Sequence, residues 1–131
     1  MATVKKFEDL EIWQLSRILC KGIFEIIENT NLKSNYRLAN QIDGSSGSIM
    51  DNIAEGFERN GNREFLQFLS VSKSSCGETR SQLYRVLDRN FISENQFQEL
   101  KEQCETLSKK IGAFMNYLKN TEMRGSKFNK P

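Results

Sequence analysis

The chain has 131 residues, 37% hydrophobic and 27% charged, a balance that fits one globular domain and excludes an intrinsically disordered chain. The formal net charge of +2 sits in the last ten residues. There Arg124, Lys127 and Lys130 stand against Glu122, which leaves sixteen bases and sixteen acids in residues 1–121. A neutral body excludes duplex binding driven by bulk charge but leaves room for a local basic patch.

The only proline is Pro131, and strand-type runs of Val and Thr are few, so the expected class is all-α. There is no histidine, and Cys20, Cys76 and Cys104 are far apart with no CxxC pair, which argues against the usual Cys/His zinc site. No metal, cofactor or catalytic group is expected. The cysteines read as small core residues in a reducing cytosol, so the expected location is cytoplasmic. Lys5 and Lys6 lead into Phe7, Glu8 and Asp9 rather than an apolar run, so no signal peptide is expected. No stretch reaches the length of a membrane span.

The first helix is expected over residues 9–28. Its apolar face comprises Leu10, Trp13, Leu15, Ile18, Leu19, Ile23, Phe24, Ile26 and Ile27. Asn29-Thr30-Asn31 and Lys33-Ser34-Asn35 form a polar turn, with Ser34 or Asn35 as the next cap. The second helix is expected over residues 36–59. Asp43-Gly44-Ser45-Ser46-Gly47-Ser48 has the composition of a loop. The apolar phase of Leu38, Ile42, Ile49, Ile53 and Phe57 nevertheless runs through it unbroken, so one helix is predicted, with small residues that admit another helix closely.

Asn60-Gly61-Asn62 is a turn. The third helix, over residues 63–89, carries a heptad: Phe65, Ser72, Thr79 and Val86 at one position, Leu69, Cys76 and Leu83 at the other. The fourth, over residues 94–120, alternates Phe97, Cys104, Ile111 and Leu118 with Leu100, Leu107 and Phe114. Ser93 and Gln96 make a capping box at its start. Residues 1–121 therefore predict an up-down-up-down four-helix bundle, and residues 122–131 a flexible basic tail.

A polar stripe accompanies the apolar one. Gln41, Ser45, Ser48, Asn52, Glu55 and Arg59 fall within an arc of roughly 80° at about 100° per residue. The third helix has a matching set in Ser75, Glu78, Gln82, Arg85 and Arg89. Such stripes serve as a solvated flank, a buried hydrogen-bonded network that fixes register or subunit pairing, or a ligand site. Glu55 and Glu78 are the candidate carboxylate pair for acid–base work. A di-iron bundle needs Glu-x-x-His, and Gly44–Ser48 does not fit a phosphate loop. Glu55 is expected to be structural, meeting Ser75, Glu78 or Gln82 on the next helix or a neighbouring subunit.

The ordered residues are Phe7-x-x-Leu10-x-Ile12-Trp13, Gln41-Ile42, Ser48-Ile49-x-x-Asn52-Ile53-Ala54-Glu55-Gly56, Arg59, Glu64-Phe65, Phe68-Leu69 and Ser75-x-x-Glu78-x-x-x-Gln82-Leu83. This set resembles the four-helix-bundle family encoded in intervening sequences of bacterial 23S ribosomal RNA genes. The resemblance implies a closed bundle that assembles as a ring-like homopentamer, with no enzyme activity. It extends to the accessory variability protein of diversity-generating retroelements, which works with a reverse transcriptase and nucleic acid. One departure is Asp43-Gly44 after Gln41, where relatives carry basic residues. It argues against a nucleic-acid surface at that point of the helix.

The expected function is a non-enzymatic oligomeric scaffold that binds RNA, DNA or a nucleic-acid-processing partner such as a reverse transcriptase. The candidate patch is Arg59, Arg63, Lys73, Arg80, Arg85 and Arg89. Tyr36, Phe57 and Tyr84 are the aromatics available for base stacking. Ordinary surface pairing with Glu64, Glu78 and Asp88 competes with that use. The alternative is a protein-interaction module with no nucleic-acid role.

Overall fold

The computed structural model describes residues 4–121. It contains four long helices: α1 (Glu11–Asn29), α2 (Tyr36–Glu58), α3 (Asn62–Asp88) and α4 (Glu94–Lys119). One-turn 3-10 helices precede α1 (Phe7–Asp9) and join α1 to α2 (Asn31–Ser34). Each helix packs on its sequence neighbours, and α4 closes against α1. This is the expected up-down-up-down four-helix bundle, since short connections force consecutive helices to run antiparallel. The basic tail expected over 122–131 lies outside the described residues.

Local chemistry sets the helix ends. The Asn35 side chain caps α2 by accepting from the Leu38 amide at 3.3 Å. The Ser93 hydroxyl accepts from the Gln96 amide at 3.1 Å, and the Ser93 amide donates to the Gln96 side chain at 2.8 Å, completing the predicted capping box. Between α2 and α3 the backbone of Gly61 adopts φ +91°, a left-handed conformation that glycine tolerates best. α1 begins at Glu11, two residues later than expected, because Phe7–Asp9 wind into the 3-10 turn.

α2 runs unbroken through Gly44–Ser48, as the apolar phase requires. Leu38, Ile42, Ile49 and Ile53 are fully buried, and so are Leu19 and Ile23 from α1. α3 and α4 bury every residue of their predicted heptads. α1 departs from expectation. Ile18 and Phe24, placed on its apolar face, are 54% and 57% exposed, while Ile12 and Ser16 are buried. Nine apolar residues cover a wider arc than a bundle helix can turn inward. The two at its edges therefore stay in solvent.

Two kinds of glycine interrupt α2. A Cβ on Gly56 would lie 2.6 Å from the Phe68 Cβ and 2.9 Å from Phe65 Cδ1, so this glycine lets α2 close onto α3. A Cβ on Gly44 or Gly47 would meet nothing within 4 Å among the described residues. Gly56→Ala should lower stability by about 1–2 kcal/mol, the overpacking cost less the gain in helix propensity. Gly44→Ala should raise it by about 1 kcal/mol. Urea unfolding of both variants checks this, and a loss of the same size in both would show that neither effect operates.

Candidate functional site on the seam between α2 and α3

The two predicted polar stripes face each other within one chain. α2 and α3 approach so closely that the Ser72 hydroxyl donates to the main-chain carbonyl of Ile49 at 2.8 Å. Small residues at the α3 heptad positions make this approach possible, and each hydroxyl then finds an acceptor in the seam. Ser45, Thr79 and Gln82 are buried to 5%, 0% and 4% exposure. The Ser45 hydroxyl lies 2.6 Å from Gln82 Oε1 and 2.8 Å from Thr79 Oγ. One proton arrangement satisfies all three residues: Thr79 donates to Ser45, Ser45 to Gln82 Oε1, and Gln82 Nε2 to the exposed Glu78 carboxylate at 3.4 Å. The chain of bonds thus carries buried polarity out to solvent.

One turn further along, Ser75 donates to Ser48 Oγ at 3.0 Å. Asn52 Nδ2 reaches the same oxygen at 3.0 Å and the Ser48 carbonyl at 2.8 Å. At one end of the seam, Arg85 donates to Gln41 Oε1 at 3.0 Å. At the other, Glu55 pairs with Arg59 at 3.0 Å, and the Arg59 guanidinium lies 5.1 Å from the centre of the Phe68 ring.

Within the chain Glu55 meets none of Ser75, Glu78 and Gln82, because its carboxylate points along its own helix to Arg59. Counted from the Ser48–Ser75 contact, Glu55 and Glu78 lie about 15 Å apart along the axis, at 1.5 Å per residue. They therefore do not form a carboxylate pair.

The six cations of the candidate patch are distributed rather than gathered. Lys73 leans over α4, where its Cε would lie 3.3 Å from a Cβ on Gly112. Arg80 pairs with Glu105 of α4 at 3.4 Å. Arg63 and Arg89 sit at opposite ends of α3, about 39 Å apart at 1.5 Å per residue. Arg85 and Arg89 share the α2–α3 side with Arg37, which lies one helical turn from Gln41. Among the described residues none of Arg37, Arg85 and Arg89 has an ion-pair partner. Arg37 was missed in the sequence, although its spacing of four from Gln41 is the signal that would have found it. Of the aromatics, Tyr36 is 76% exposed, Phe57 is buried, and Tyr84 packs on Phe97 with ring centres 4.8 Å apart.

The cysteines lie away from this seam. Burial pushes the Cys20 thiol up to about 11 and the Cys76 and Cys104 thiols up to about 12, from an ordinary 9.0. Such thiols are poor nucleophiles and poor metal ligands at neutral pH. Among the described residues no three Cys, Asp or Glu side chains converge on a point that would hold a metal. No helix there is long and apolar enough to cross a membrane.

Fold and seam together define an antiparallel four-helix bundle whose second and third helices are joined by a hydroxyl- and amide-rich interface. The chain belongs to the 23S rRNA-intervening sequence protein family, whose model matches residues 8–113. A solved protein of unknown function from the S23 ribosomal protein family of Bacteroides thetaiotaomicron has a similar fold. Its TM-score is 0.72 at 18% identity, over 79% of this chain and 97% of that one. No functionally curated protein matches at a significant level.

Gln82→Ala removes the 2.6 Å acceptor of the buried Ser45 hydroxyl, leaving it the longer 3.3 Å bond to the Ile42 carbonyl, and should cost about 1–2 kcal/mol. Urea unfolding reads the loss, and an unchanged midpoint would show that the seam is energetically idle. The thiols provide a second check. Between pH 9 and 12 the unfolded chain holds fewer thiol protons than the fold, so stability should fall as pH rises through that window. Maleimide labelling at pH 8 should likewise be far slower in the native chain than in urea.

Proposed function

We propose that this protein is a non-enzymatic, cytoplasmic scaffold that assembles from copies of itself and contacts the phosphate backbone of RNA or DNA. Arg37, Arg85 and Arg89 make the contact. The observation that carries this reading is their placement together at one end of the α2–α3 seam without ion-pair partners among the described residues. Arginines in this state form charge-assisted hydrogen bonds to phosphate oxygens with little internal pairing to break. Exposed Tyr36, beside Arg37, offers a ring for an unstacked base. Arg85 and Arg89 also interact favourably with the dipole at the α3 C-terminus.

Self-assembly draws support from Gly44 and Gly47. Each weakens α2 without making room for anything among the described residues. A neighbouring copy laid against this face would account for both. The family resemblance implies a ring of five. The separation of Glu55 and Glu78, each bonded along its own helix, supports the non-enzymatic part of the proposal.

The test is binding of the full chain to labelled single-stranded and duplex RNA and DNA across a salt series, alongside the mass of the native particle. Affinity should fall with salt, and Arg85→Glu with Arg89→Glu should weaken it at least tenfold while the fold persists. Gly44→Leu with Gly47→Leu should shrink the particle without unfolding the chain. Binding that is absent or indifferent to salt, or a wild-type monomer, would overturn the corresponding half of the proposal.

A further inference from the structure

The seam between α1 and α4 is built differently from the seam between α2 and α3, and it lies on the opposite side of the bundle. Two hollows of about 190 and 270 Å³ adjoin along it, with Glu99 and Gln103 in the walls of both. Leu15, Ile26 and Leu100 supply apolar walls, and Ile18 stands between the helices at 54% exposure. Glu25, Glu99 and Glu102 also line the hollows, and none of the three has an ion-pair partner among the described residues. Gln103 Oε1 is buried there without a hydrogen-bond donor. The arrangement is a trough, mainly apolar around Leu15 and Ile18 and mixed around Ile26 and Leu100, with an acidic rim and an unused acceptor.

We propose that this trough docks a basic amphipathic helix of a partner protein. The occupant follows from complementarity. Three uncompensated carboxylates repel nucleic acid and anionic lipid, and they favour Lys and Arg beside an apolar stripe. From Leu15 to Asn29 the trough is about 21 Å long, which matches about four turns of helix. Among the described residues there is no strand, so no sheet edge is available to pair an extended peptide. Apolar side chains at i, i+3 or i+4, and i+7 would cover Ile18 and Leu15. Flanking cations would meet Glu25, Glu99 and Glu102, and a donor entering the trough would reach Gln103 Oε1. This surface is separate from the Arg37–Arg85–Arg89 end, so the two readings stand or fall independently.

The probe is a fluorescent 16-residue amphipathic peptide of Leu and Lys at helical period, with a Leu/Glu peptide of the same pattern as its control. It is titrated into the full chain, and amide chemical shifts map the contact. The Leu/Lys peptide should bind and shift residues around Ile18, Glu99 and Gln103. Ile18→Ser, and separately Glu99→Gln with Glu102→Gln, should each weaken binding at least tenfold. All these positions except Gln103 are exposed, so thermal melts of the variants should match the parent. Arg85→Glu with Arg89→Glu should leave peptide binding intact. Equal binding of the Leu/Glu peptide, indifference to the trough variants, or shifts mapped elsewhere would overturn the proposal. It would also fall if the trough variants reduced the mass of the native particle, since the occupant would then be a second copy of the chain.

Discussion

The closeness of α2 and α3 is the constraint on which the rest of the bundle depends. A serine hydroxyl on one helix reaches a main-chain carbonyl on the other, and Gly56 brings α2 against the Cβ of Phe68. Large aliphatic residues at those heptad positions would hold the helices apart. Ser72 and Thr79 give up apolar area and gain depth of approach. The hydrogen bonds they make replace those lost to water, so the exchange costs little as long as every hydroxyl is satisfied.

This close pairing also gives the bundle two unlike faces. The α2–α3 side is narrow, polar and internally bonded, and it ends in arginines without acid partners. The α1–α4 side is more open: it closes tightly where Gly22 admits Leu100, with a Cβ there 2.8 Å from Leu100 Cδ2, but hollows remain around that contact. Chemistry suited to a polyanion and chemistry suited to a polycation are thus kept on opposite sides.

Much of this was legible in the sequence because it is local. The α4 heptad and its capping box depend on spacings of three and four, which survive any tertiary arrangement. α2 was legible through Gly44–Ser48 for the same reason, since an unbroken apolar phase outweighed a loop-like composition. What could not be read was pairwise. Glu55 had several plausible partners by periodicity, and only rotamer and helix contact select Arg59. Four of the six cations lie within α3, but a helix of 27 residues carries them along and around its axis until they no longer share a surface. Ile18 and Phe24 looked like core because an isolated helix does not reveal how much of its apolar arc its neighbours will cover. Asn62 read only as part of a turn. In the fold its side chain donates to the Leu118 and Thr121 carbonyls and fastens the start of α3 to the end of α4.

The directed chain from Thr79 through Ser45 and Gln82 to Glu78 has a mechanical consequence. Sliding α3 by one turn in one direction would bring Val86 to the place of Gln82, so the buried Ser45 hydroxyl would lose its 2.6 Å acceptor and keep only the longer 3.3 Å bond to the Ile42 carbonyl of its own helix. Helices that interlock through aliphatic knobs alone can ratchet by a turn and recover equivalent contacts, whereas this pair cannot. α2 and α3 therefore behave as a single strut. α1 and α4, by contrast, meet across a seam that keeps hollows, so the bundle joins one tightly bonded helix pair to one more loosely filled pair.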